Sequence, residues 1–252
     1  MSGTTRRDRL ITSSGVLIEW YDFIVYALLA TTLQKAFFPV NDAQVGLILT
    51  FATFAIGYFA RPLGGLVIGR IGDTRGRRFA LLLATTLMLI PLLVITVLPT
   101  YERIGILAPL LLILMRLLQG FSVGGEFTGA LTTLSETSRD THRARSVSLG
   151  LATATGGVLA ASLVVLLTTL TIGAAKVEAG GWRIPFALGF LFCLVAVAMQ
   201  RRLKETSSFE EARTTGEIGR PLTQVLRHYP KQFLAIVALT SWSGITIYTL
   251  VT

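Results

Sequence analysis

Cysteine and histidine are nearly missing from the 252 residues: one cysteine and two histidines. A single cysteine, Cys193, excludes an internal disulfide and any cysteine-based metal cluster. His142 and His228 have no metal-ligand companion at helical or loop spacing, so no metal site is expected. There is no His-Glu-x-x-His pair, no nucleophile elbow and no phosphate-binding glycine loop. The common hydrolase, protease and nucleotide-dependent chemistries therefore have no residues here to carry them. Neither enzyme activity nor a cofactor is expected.

Charge is also scarce. Only 15% of residues are charged, against 52% hydrophobic. The mean hydropathy is +0.66. An ordinary soluble domain carries about 25% charge. The deficit points to an all-α polytopic membrane protein. Acidic residues are outnumbered, 14 to 23, giving a net charge of +9. In a soluble chain that balance suggests nucleic acid. In a membrane chain it marks cytoplasmic loops instead, and no nucleic-acid partner is expected. The basic start "MSGTTRRDRL" is not followed by a short apolar stretch with a small-residue cleavage site, so a cleavable signal peptide is not expected.

Apolar runs near 20 residues, the length that spans a bilayer, occur seven times. They cover 10–38, 45–69, 79–98, 104–127, 147–172, 182–199 and 233–252. Each reads as a helix, because open strand edges are not tolerated in lipid. With the N-terminus inside, seventeen Lys and Arg fall in inside segments and four (Lys35, Arg103, Lys176, Arg183) in outside ones. That asymmetry supports both the orientation and the number of spans. The domain expectation is a six-helix bundle over 1–200, a cytoplasmic linker over 201–231 and a seventh span over 232–252. No loop or tail follows the seventh span, so the chain reads as part of a longer protein.

Between spans two and three lies "GRIGDTRGRR", with Gly69, Asp73, Gly76, Arg77 and Arg78 in a G-x-x-x-D-x-x-G-R-R spacing. Glycines allow a tight turn. Asp73 is able either to accept from amides at a helix start or to pair with an arginine. Arg77 and Arg78 suit the anionic lipid surface. A plain basic turn obeying the positive-inside rule is the simpler reading. "RDTHRAR" (Arg139–Arg145) has a similar flavour and reads as a second membrane-surface anchor.

Ionisable residues within spans are costly and usually functional. Here they are Glu19, Asp22, Arg61, Arg116 and Glu126. Glu19, Asp22 and Tyr26 share one helix face, within about 60° at 100° per residue. Arg116, Gln119 and Glu126 share another, within about 80°. Glu19 and Asp22 are candidates for a proton site, since a carboxylate in a low-dielectric cavity is easier to protonate. Arg116 suits bidentate binding of a carboxylate. Arg61, Tyr26, Gln119 and Glu126 are the other candidate substrate contacts. The alternative is that acids and arginines only tie helices together. Gly120, Gly124, Gly125 and Gly129 read as close-packing positions rather than ligands.

The "GRIGDTRGRR" stretch resembles the signature between the second and third helices of the major facilitator superfamily, with Thr74 standing where a basic residue is more usual. "SSGVLIEWYDFIVYALLATTLQKAFFP", "RPLGG", "RLLQGFSVGGEFTGA", "GWRIPFALG" and "LKETSSF" occur in the order found in its metabolite:proton symporter family. That resemblance implies the N-terminal half of a twelve-helix transporter plus the start of its seventh helix. It implies proton-coupled symport of a small carboxylate or zwitterionic osmolyte across the inner membrane, and a latch role for the Gly69–Arg78 loop. A monomer is implied once a second six-helix half is present. The fifth helix, "GLATATGGVLAASL", lacks the proline of the antiporter motif, which favours symport. The rival reading is a half-bundle protein that does not transport alone but serves as an interaction partner.

Overall fold

The computed structural model describes residues 6–138, 143–215 and 227–251. Arg139 and His142 of the second basic loop, residues 216–226 of the linker and Thr252 lie outside the described residues. Every regular element among those described is helical: α1 (Arg6–Leu28), α2 (Ala30–Phe37), α3 (Ala43–Arg75), α4 (Arg77–Val97), α5 (Tyr101–Ile104), α6 (Leu107–Glu136), α7 (Arg143–Ile172), α8 (Ala174–Lys176), a π-turn at Val177–Gly181, α9 (Arg183–Gln200), α10 (Ser207–Thr215) and α11 (Pro230–Val251). Two compact units result, Met1–Glu211 and Ala212–Thr252.

Five helices of the first unit, α3, α4, α6, α7 and α9, are long and apolar enough to cross a membrane. A sixth span forms if α1 and α2 are taken together, although they meet at a 69° bend. The sequence reading made this one span over 10–38. At roughly 1.5 Å per residue, 29 residues reach about 43 Å, well beyond a ~30 Å hydrocarbon core. The chain turns aside at Leu29 instead. The second limb then buries Leu33 and Phe37 in the largest core cluster, where Phe37 meets Trp182 edge-on at 5.5 Å between ring centroids. No proline or glycine marks the bend, so composition gives no warning of it.

α3 runs longer than the span expected at 45–69. Asp42 caps its start by accepting from the Gln44 amide at 2.8 Å. At 33 residues it is about 50 Å long, so its last turns extend past the hydrocarbon. Gly69 therefore lies within α3 and makes no turn. Gly76 makes it alone, at φ 108°, a conformation that suits only glycine.

α6 sits between α3 and α4, α1 packs along α7 and α9, and α4 packs on α9. The α3–α6 crossing is the closest. A Cβ on Gly57 would lie 2.9 Å from the Arg116 carbonyl oxygen, and one on Gly124 would collide with the Arg61 carbonyl. Glycine on both helices brings the backbones together at the level of Arg61 and the buried Arg116. Outward faces stay apolar: Phe59, Leu170, Ile48 and Leu159 are among the most exposed side chains, as lipid-facing positions should be.

In the second unit, α11 forms a helix of 22 residues, about 33 Å long. It begins three residues before the seventh span read from the sequence. Its described apolar side chains, Leu234, Val237 and Leu239 among them, are exposed.

Candidate functional site

Three helices converge on the candidate site. α1 supplies Glu19 and Asp22 one turn apart. α3 supplies Phe54, Tyr58 and Arg61. α6 supplies Arg116, Gln119 and Val123. All line one cavity of about 30 Å³, room for a water or two rather than an organic acid.

Asp22 is the centre of it. Its Oδ2 accepts from Arg116 Nη1 at 3.0 Å and from Gln119 Nε2 at 2.8 Å. Both ion-pair side chains are 5% exposed, so water screens this pair little. The Arg116 guanidinium also lies over the Tyr26 ring, 4.0 Å from its centroid. The Tyr26 hydroxyl donates to the Thr50 carbonyl at 3.1 Å, fixing the ring. Arg61 stacks over Tyr58 at 4.2 Å and lies 5.8 Å from the Phe23 centroid. Aromatic faces hold both cations, and neither arginine is saturated.

The unused hydrogen-bonding capacity is concentrated here. Glu19 Oε2, Asp22 Oδ1, Gln119 Oε1, Arg61 Nε and both Arg116 Nε and Nη2 are buried and make no hydrogen bond among the described residues. Buried polar groups are nearly always paired. Arg116 Nε and Nη2 form one edge of the guanidinium, the edge that takes a carboxylate through two parallel bonds. Asp22 holds only Nη1. The geometry therefore leaves Arg116 able to grip Asp22 and an anion together.

Glu126 is not with them. It is fully buried in a separate cluster, where Thr85 Oγ1 lies 2.8 Å from its Oε2 and Gln200 Nε2 3.3 Å from its Oε1. Helical spacing placed it on the face of Arg116 and Gln119. About two turns beyond Gln119, however, that face meets α4 and α9 rather than the cavity. Thr85 and Gln200 escaped the sequence reading, since each is an uncharged residue in or beside an apolar run.

The turn after α3 forms a third polar group. Arg77 pairs with Asp73 at 2.7 Å and with Glu136 at 3.0 Å. The Arg77 and Arg78 amides at the start of α4 donate to Glu205 Oε1 at 2.8 and 3.3 Å, and Arg78 Nη2 donates to the Arg201 carbonyl at 2.7 Å. Of the two roles open to Asp73, pairing with an arginine is the one observed. The helix-start amides go to Glu205. Sequence reasoning assigned neither Glu136 nor Glu205 to this turn. Both sit far along the chain, although Glu205 lies within the quoted "LKETSSF". Among the described residues, no group of three His, Cys, Asp or Glu gathers as a metal ion would need.

The profile of the family described as "Sugar (and other) transporter" matches residues 9–217. The chain belongs to that family. It is 39% identical over 249 residues to a putative proline/betaine transporter of Staphylococcus haemolyticus, covering 98% of this chain and 53% of the relative. It is 40% identical over 253 residues to the alpha-ketoglutarate permease of Escherichia coli, covering 100% and 58%. A glycine betaine/proline/ectoine/pipecolic acid transporter of Dickeya dadantii is 37% identical over 261 residues. The chain thus spans about half the length of the curated relatives it matches. Among solved structures, the major facilitator superfamily proton:xylose symporter XylE bound to 6-bromo-6-deoxy-D-glucose superposes with a TM-score of 0.75 at 20% identity. That match covers 82% of this chain and 46% of the symporter. A partially occluded inward-open XylE from E. coli gives 0.74, covering 82% and 50%. These superpositions establish the fold, that of one half of a major facilitator transporter. Family members are transporters, not enzymes, and the chain is a multi-pass membrane protein.

Proposed function

We propose that this chain forms the N-terminal half of a proton-coupled symporter for a small carboxylate or zwitterionic osmolyte. Residues 1–200 are the first six-span bundle, 201–231 a cytoplasmic linker and 232–252 the first helix of a second half. The N-terminus faces the cytoplasm of a cell with this protein in its inner membrane. Transport proceeds by rocking of two halves about a midplane site. Three of the solutes to test follow from the relatives' names: 2-oxoglutarate, proline and betaine.

The observation that carries the reading is the buried Asp22–Arg116 pair with its unpaired guanidinium edge at the cavity. With both acids ionised, Glu19 and Asp22 balance Arg61 and Arg116. A proton on either acid leaves the site with one net positive charge, the complement of a substrate carboxylate. A carboxylate on Arg116 Nε and Nη2 in turn makes a charged Asp22 less needed. Proton and substrate thereby favour each other, which is the thermodynamic content of symport. Tyr26, Arg61 and Gln119 complete the substrate contacts. The cavity is too small for such a solute in this state, and a facing half is needed to enclose one. The Gly69–Arg78 segment, turned at Gly76, with Asp73 paired to Arg77, Arg77 tied to Glu136, and Arg77 and Arg78 tied to Glu205, acts as the latch that stabilises one closed state.

The test is pH-jump uptake in proteoliposomes of the full-length gene product, with radiolabelled 2-oxoglutarate, citrate, shikimate, proline and betaine, each with and without protonophore. Accumulation of one solute that collapses with protonophore supports the reading. Accumulation that ignores the proton gradient overturns the coupling, and none from folded protein overturns the substrate class.

A further inference from the structure

The cluster around Glu126 contains more acceptors than protons. Thr85 Oγ1 lies 2.8 Å from Glu126 Oε2, 2.8 Å from Gln200 Oε1 and 3.0 Å from the Leu81 carbonyl. One hydroxyl has one proton to give. If Glu126 is ionised and Thr85 donates to it, the Thr85 oxygen faces Gln200 Oε1 at 2.8 Å with no hydrogen between them. Exchanging the Gln200 amide oxygen and nitrogen, a choice set by the network itself, only moves the conflict. The amide oxygen then faces Glu126 Oε1 at 3.3 Å, again acceptor to acceptor. A proton on Glu126 removes the conflict in the orientation observed. Glu126 Oε2 donates to Thr85, Thr85 donates to Gln200 Oε1, and Gln200 Nε2 donates to Glu126 Oε1. The ring closes with every member satisfied.

The surroundings agree. Glu126, Thr85 and Gln200 are all 0% exposed. No arginine, lysine or histidine among the described residues donates to Glu126. α1 faces it with Gly15, whose missing side chain makes room for Oε1, and, a turn further on, with Glu19, a like charge within electrostatic reach. α9 adds the Cys193 thiol, which is occupied with the Thr85 carbonyl at 3.4 Å. On α3, Arg61 lines the other cavity, and Arg70, Asp73 and Arg75 lie in its last turns. The titratable residues of α7, Arg143 and Arg145, are at its exposed first turn. An unpaired buried charge is far costlier than a neutral acid whose hydrogen bonds are all made.

We propose that Glu126 is a proton-binding site separate from the Asp22–Arg116 pair, holding its proton in a closed Glu126–Thr85–Gln200 ring in this conformation. Release requires breaking the ring, which joins α6 to both α4 and α9. The assignment does not depend on which solute is carried.

Infrared spectroscopy of the purified full-length gene product at neutral pH tests it without substrate or gradient. A protonated carboxylic acid has a carbonyl band that shifts in D₂O. The expected result is loss of one such band in Glu126→Gln. Thr85→Val should keep that band but shift it, because its hydrogen-bond partner is gone. If Glu126→Gln does not fold, the shift in Thr85→Val still assigns the band. A wild-type spectrum with no protonated carboxyl, or one whose bands survive both substitutions unchanged, overturns the proposal. Failure of every solute in the uptake assay leaves this result untouched, so the two readings fail independently.

Discussion

At the residue scale, the Asp22–Arg116 pair makes the sharpest predictions. Breaking a buried ion pair by removing one partner costs about 3–5 kcal/mol, because the other charge is left uncompensated. Asp22→Asn and Arg116→Gln are each expected to lower the melting temperature of the detergent-solubilised protein. The double variant, which leaves no orphan charge, should recover most of the loss. A double variant as unstable as the sum of the singles would show that the two do not act as a pair. Transport separates them further. Asp22→Asn should abolish accumulation against a gradient while leaving downhill exchange. Arg116→Lys keeps the charge but loses the two-pronged edge. One charged hydrogen bond is worth about 1.5–3 kcal/mol, so KM for a carboxylate should rise roughly 10- to 100-fold. An unchanged KM would remove Arg116 from the substrate contacts. These residues were legible in the sequence because a charge in a 20-residue apolar run stands out. Their partners were not. Spacing along one helix says which side chains share a face, and Glu126 shows the limit: the same face changes neighbours within three turns. Thr85, Gln200, Glu136 and Glu205 carry no such contrast, the first two because they are neutral, the others because charges outside the apolar runs are ordinary.

At the scale of elements, two backbone features hold the site. The first is the α3–α6 crossing. A side chain on Gly124 has no room against the Arg61 carbonyl, so Gly124→Val must push the helices apart. Overpacking of this kind costs about 1–3 kcal/mol. It should also lower substrate affinity, since Arg61 and Arg116 are carried by the two displaced helices. A variant with wild-type melting and uptake would contradict the crossing. The glycine spacing announced close packing, whereas which helix comes close is a matter of tertiary arrangement. The second is the Gly76 turn. Glu205 accepts from two orphan amides at the start of α4, as a capping residue does, but it comes from beyond the sixth span. Glu205→Ala should cost about 1 kcal/mol, the usual worth of a cap. It should also raise proteolysis in the segment after α9, whose Leu203 and Thr206 are buried here. The turn was legible from Gly76, whereas Gly69, read as its other end, continues α3. The bend between α1 and α2 was not legible, because it is set by what the second limb packs against rather than by a breaking residue.

At the scale of the whole molecule, the proposed orientation rests on charge. Seventeen of the 23 Lys and Arg fall on one side if the six spans alternate from an inside N-terminus. Placing that side against the cytoplasm satisfies the positive-inside rule. The reverse orientation would ask the cell to translocate the Arg70–Arg78 cluster and the basic stretch that follows α9. The single cysteine makes this easy to examine, since Cys193 is fully buried and a thiol reagent should ignore it. Arg75 and Lys176 are both exposed, at the ends of α3 and α8. Lys176→Cys is expected to react with a membrane-impermeant maleimide in intact cells. Arg75→Cys should react only after the cells are opened. The opposite pattern would invert the topology. The proton would then reach Asp22 from the other side, and the symport direction proposed for the site would fall with it.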